Sequence, residues 1–156
     1  MHPSEAIRGV KSDRLQGKFV VLGVTGSIGA VKCVEIAREF IRHGARVRAV
    51  MSEGAEGIIT AEAMKFATGE EVVTRITGMV EHVDLFGERG SADLFVIAPA
   101  SANTIAKLAA GLSDTPVTLC ASLAIGRHVP LLLVPAMHGP MQENPALREA
   151  MEKLAK

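Results

Sequence analysis

The sequence predicts a three-layer α/β domain, a parallel sheet with helices on both faces. Three observations predict it. Phe19–Val24, 94–98 and 129–134 are continuous apolar runs, the pattern of strands buried on both faces. Stretches with helical spacing separate them. Small, hydroxyl or proline residues stand where the predicted strands end.

Taken in order, residues 1–17 are polar, carry Pro3 and Gly9 and lack periodicity, so they predict an N-terminal arm before a domain over 18–156. Phe19–Val24 is the first strand, bounded by Gly17 and Gly26. Residues 27–42 place Ile28, Val31, Val34, Ile36, Ala37, Phe40 and Ile41 at helical spacing, and Gly44 follows as a natural helix end. Arg46–Met51 is the second strand. Residues 53–68 form a loop and helix pair closed by Gly69, and Val72-Val73 reads as a short edge strand or turn. Residues 80–85 fit either class. After the third strand, 94–98, come a helix over 103–111 and a partly helical segment over 114–123. The fourth strand is 129–134, and Asn144 and Pro145 open a last helix over Pro145–Leu154.

Bulk properties exclude several roles. Lys plus Arg and Asp plus Glu both number 17, so a zero formal charge gives no attraction to nucleic acid or to an anionic membrane. No apolar run reaches the roughly 18–20 residues that span a bilayer, and the polar start is not a secretory signal, so a cytoplasmic protein is expected. Five Phe without Tyr or Trp leave few stacking platforms for single strands. Cys33 and Cys120 stand far apart in apolar contexts, which predicts two buried reduced thiols, and no spacing suits a metal site.

Ligands of such folds sit at the carboxyl ends of the strands. Four candidate segments begin there: 23–30, 51–55, 98–104 and 135–141. In Gly23-Val24-Thr25-Gly26-Ser27-Ile28-Gly29 the glycines fall at i, i+3 and i+6, which is not the dinucleotide fingerprint, so an NAD enzyme is disfavoured although Glu53 offers a ribose-binding acid. The turn brings backbone amides and the hydroxyls of Thr25 and Ser27 towards a ligand. Ser52 and Asp114 suit helix capping and ligand binding equally. Small residues in Pro99-Ala100-Ser101-Ala102-Asn103-Thr104 leave amides free to meet an anion or a flat ring.

That last segment resembles the P-A-S-A-N-T signature of the flavin-dependent cysteine decarboxylases. Pro135-Ala136-Met137-His138-Gly139-Pro140-Met141 is similar to the family's P-x-M-N-x-x-M-W motif, with His138 in place of Asn and Gln142 in place of Trp. Gly23 to Ile28 resembles its first flavin turn, and His82-Val83-Asp84-Leu85 its H-[IV]-x-L histidine context. The resemblance covers about residues 18–154, and the phosphopantothenoylcysteine decarboxylase branch fits best.

The resemblance implies a Rossmann-like, flavodoxin-type fold and FMN bound by Gly26, Ser27, Ile28, Ser52, Ala98, Pro99, Ser101, Asn103, Thr104, Asp114 and Thr118. It implies His82 and His138 as catalytic residues, with Ala136, Met137, His138 and Met141 binding a small-molecule substrate. The implied reaction decarboxylates 4'-phosphopantothenoylcysteine towards 4'-phosphopantetheine in coenzyme A biosynthesis. The family assembles as homotrimers or homododecamers, and its bifunctional members add a phosphopantothenate–cysteine ligase domain. It also carries a later A-C-G loop whose cysteine helps the final reduction. The sequence reaches Lys156 before any such loop, so slow completion of turnover is expected. The alternatives are an FMN-binding regulatory subunit, a peptidyl-cysteine decarboxylase and a flavin prenyltransferase.

Overall fold

The computed structural model describes residues 1–156. After helix α1 (Pro3–Ala6) come strand β1 (Phe19–Val24), a 3-10 turn (Ile28–Lys32), α2 (Cys33–Arg42) and β2 (Arg46–Met51). Then follow α3 (Glu53–Glu56), α4 (Ala61–Thr68), α5 (Glu81–Phe86), β3 (Leu94–Ala100) and α6 (Ala102–Ala110). The chain ends with α7 (Pro116–Gly126), β4 (Leu131–Pro135), α8 (Gly139–Gln142) and α9 (Pro145–Leu154). The four strands are all parallel in the order β2-β1-β3-β4. Val73 adds a parallel bridge to Val50 at the β2 edge.

Side chains alternate between two cores. Val20, Leu22 and Val24 of β1 face Ala37 and Ile41 of α2 and Met64 of α4. Val21 of β1 faces the other way with Phe95 and Ile97, against Ile105 of α6 and Cys120 and Ala121 of α7. The sheet is covered on both faces, as continuous apolar strands require. The exception is β4. Leu132 pairs in register with Val96 and shares its face, yet it stays 50% exposed, and Val134 is 45% exposed. α2 lies over β1 and β2, so that face of β4 has no helical cover.

Several boundaries differ from expectation. The helix expected over 27–42 begins as a 3-10 turn, with Gly29 packed close to Pro99 and Ala136. β4 starts at Leu131 because the Val129 amide is used to close α7, donating to Ala124 O. α7 extends to Gly126. The N-terminal arm is seated on the domain. Ser4 is fully buried, Arg8 Nη1 donates to Ala45 O at 2.6 Å, and the Gly9 amide donates to Ile41 O. No helix is long and apolar enough to cross a membrane.

Candidate functional site

The turns after all four strands meet in one cleft of about 540 Å³. β1 delivers Gly26 and Ser27, β2 delivers Ser52, Glu53 and Gly54, β3 delivers Ser101 to Thr104, and β4 delivers Ala136 and Met137, with Met141 beside them. In a parallel sheet every strand ends on the same side, so loops distant in sequence become neighbours.

A buried hydroxyl fastens two of these loops. Thr25 Oγ1 donates to Pro99 O at 2.5 Å and accepts from the Ser101 amide at 2.9 Å. Thr25 is 1% exposed, so neither partner has water as a substitute. The expectation that this hydroxyl faces a ligand is therefore corrected: it ties β1 to β3. Replacing Thr25 with Val leaves a buried carbonyl and amide unpaired, at a cost of roughly 2 kcal/mol or more. We expect the Tm to fall by about 4–8 °C, with Thr25→Ser retaining most of the stability. An unchanged Tm in the Val variant would contradict this role.

The other hydroxyls divide between structure and the open cleft. Ser52 Oγ caps α3 through Ala55 N, and Ser101 Oγ caps α6 through Thr104 N while also meeting Thr104 Oγ1. Thr118 is spent in a capping box with Thr115 at the start of α7. Ser27 makes no side-chain cap bond. The backbone amides of Gly26, Ile28 and Gly29 donate to no backbone group, so they remain available beside the cleft. Ala98 and Pro99 are instead structural neighbours: their carbonyls accept from the Cys33 thiol and the Thr25 hydroxyl. Ile28 is 76% exposed and does not line the cleft.

Local packing explains one glycine. A Cβ on Gly26 would lie 3.2 Å from the backbone of Gly54, so the first and second turns touch through bare backbone. Asp114 lies outside the cleft, in an adjoining compartment, and pairs with Lys107 Nζ at 2.9 Å. Lys107 lowers the Asp114 pKa below the ordinary carboxylate range. Five wall residues were not among the site residues expected from the sequence: Glu53, Gly54, Ala102, Lys107 and Thr115. Lys107 was findable, since it stands one turn after Asn103 on α6. Thr115-Pro116 is likewise a recognisable helix start.

The two histidines stand apart from the lining. His138 is exposed at the start of α8, adjacent to Met137, and its ring makes no hydrogen bond. His82 sits on α5, its Nδ1 buried and without a partner. It does not line the cleft of its own chain. Glu81 anchors the start of α5 by accepting from the Thr77 hydroxyl and amide, at 2.5 and 2.9 Å. Those bonds hold its carboxyl down at about pKa 2. A depressed carboxyl stabilises the fold above its unfolded value and loses that contribution as it is protonated. Glu81→Gln is therefore expected to be less stable than the parent at pH 6. The gap should close as pH falls from about 4.5 towards 2. A gap independent of pH over that range would refute the assignment.

Both cysteines are buried and unpaired. Burial raises Cys33 to about 11 and Cys120 to about 12, so neither is a thiolate nucleophile near neutrality.

Comparison with known proteins agrees with this geometry. The flavoprotein family pattern matches residues 9–156. The coenzyme A biosynthesis bifunctional protein CoaBC of Thermococcus kodakarensis is 52% identical over 157 residues, covering 100% of this chain and 39% of that protein. The chain thus spans well under half the length of that relative. The FMN-dependent cysteine decarboxylase TvaF from thioviridamide biosynthesis superposes with a TM-score of 0.79 at 25% identity, covering 89% of this chain and 85% of its own. A PPC decarboxylase variant complexed with pantothenoylaminoethenethiol superposes with a TM-score of 0.72 at 30% identity, covering 88% and 77%.

Proposed function

The chain belongs to the flavoprotein family, so its cofactor is a flavin, and we propose that it is a cytoplasmic FMN-dependent carboxy-lyase acting on 4'-phosphopantothenoylcysteine. The observation that carries this reading is the meeting of all four strand-end turns in one cleft whose first turn keeps three amides free. The relatives named above supply the substrate class.

The residues present fit FMN. The free amides of Gly26, Ile28 and Gly29, with the Ser27 hydroxyl, suit a phosphate. Asn103, exposed in the first turn of α6, offers an amide to ring heteroatoms. When bound, FMN would supply reversible two-electron redox chemistry at the substrate cysteine, accepting electrons for the decarboxylation and giving them back to the decarboxylated product. Met137 and Met141 would wall the substrate from water, and Ala136 leaves it room. His138, beside them, would orient the substrate carboxylate through a ring N–H.

His82 would move the proton, and it would do so from a second copy. Its helix is flanked by exposed Met79, Val80 and Val83. Exposed Ile28, Val31, Leu132 and Val134 offer apolar surface near the cleft side of the sheet, where β4 lacks cover. Association between copies, as a homotrimer or dodecamer, would bury both surfaces. In the longer relatives a phosphopantothenate–cysteine ligase domain is the expected further partner.

The direct test is anaerobic incubation of the FMN-loaded chain with 4'-phosphopantothenoylcysteine. Carbon dioxide release with loss of oxidised-flavin absorbance is expected. Binding without either change would favour a regulatory flavoprotein.

A further inference from the structure

A second compartment of about 390 Å³ adjoins the cleft. Glu53 and Thr115 line both, so the two share a wall and form one continuous surface. Thr74, Arg75 and Ile76 form one side, and Ser113, Asp114 and the start of α7 form the other. Its charges are unevenly satisfied. Asp114 is neutralised by both contacts of Lys107 Nζ, at 3.0 and 2.9 Å. Arg75 is exposed and makes neither an ion pair nor a side-chain hydrogen bond, whereas Arg8, Arg42, Arg46 and Arg148 each pair with a carboxylate. The compartment therefore presents one free guanidinium, and Glu53 stands at its junction with the cleft as a hydrogen-bond acceptor.

We propose that this compartment takes the phosphate end of the substrate while the thiol end lies in the cleft, with Arg75 as the phosphate ligand. This rests on the substrate reading given above. A substrate with phosphate at one end and a thiol beside a carboxylate at the other needs two joined sites. The cleft is the place assigned above to the flavin and the reacting end, and the adjoining compartment is left for the distant phosphate. A guanidinium presents paired N–H donors that match two phosphate oxygens. Glu53 at the junction accepts from a hydroxyl or amide N–H of the connecting arm.

The test uses the FMN-loaded full chain and calorimetric titration with 4'-phosphopantetheine and with pantetheine. The parent should bind the phosphorylated ligand at least ~10-fold more tightly, the scale of a charge-assisted hydrogen bond. Arg75→Ala should bring that ratio to about 1 and leave pantetheine affinity unchanged. Arg75→Lys should keep part of the preference, because charge persists without the paired donors. A parent ratio near 1, a ratio that survives Arg75→Ala, or an equal fall for both ligands would each overturn the subsite. A preserved phosphate preference in a chain that releases no carbon dioxide would uphold the subsite and reject the decarboxylase reading instead.

Discussion

Replacing His82 with alanine is expected to slow carbon dioxide release by roughly 10²- to 10⁴-fold, the usual contribution of a positioned proton-transfer group. Flavin content should stay at the parent level, because His82 is not part of the cleft wall. The fold should tolerate the change, since Nδ1 has no partner to orphan. A steady-state assay of kcat beside the flavin-to-protein ratio separates these effects. Equal loss of flavin and activity would mean that α5 is only structural. The same placement predicts complementation. Subunits carrying His82→Ala, mixed with subunits carrying Asn103→Ala, should recover part of the activity if His82 serves the cleft of a second copy. Mixtures no more active than the separate variants would restrict His82 to its own chain.

The second large effect is expected at Gly26. A valine there would place its Cβ 3.2 Å from Gly54 backbone atoms, which have no side-chain freedom with which to retreat. The first two turns would have to separate, and overpacking of this kind costs about 1–3 kcal/mol. That strain falls on the first turn, which lines the cleft through Gly26 and Ser27, so flavin affinity should drop by roughly 10- to 100-fold. Equilibrium dialysis with FMN measures it. Thr25 holds the same turn from the other side, so Gly26→Val and Thr25→Val should couple rather than add. Unchanged FMN affinity in Gly26→Val would remove the first turn from the site.

Much of this architecture was written locally. β1 and β2 match their expected bounds to the residue, and Asn144-Pro145 marks the start of α9 through capping chemistry that needs no tertiary partner. The four cleft turns were legible because each ends a recognisable strand and parallel strands finish on one side. What remained hidden depends on contacts between distant residues. Nothing within residues 1–17 reveals that Arg8 reaches Ala45 O. Likewise, nothing around Thr25 reveals that its hydroxyl is consumed 74 residues away at Pro99. Capping and ligand binding draw on the same residue types, so Ser52, Ser101 and Thr118 could not be sorted until their partners were known. Gly54 was missed for a related reason. It enters the wall because the first turn is brought against its own, with Gly26 packed on its backbone, not through a motif of its own.

The most direct measurement is the visible absorption spectrum of the purified protein, followed by mass identification of the chromophore released on denaturation. Oxidised-flavin bands and a released mass equal to FMN are expected. A colourless protein that takes up no FMN on reconstitution would contradict the assignment of the cleft as a flavin site.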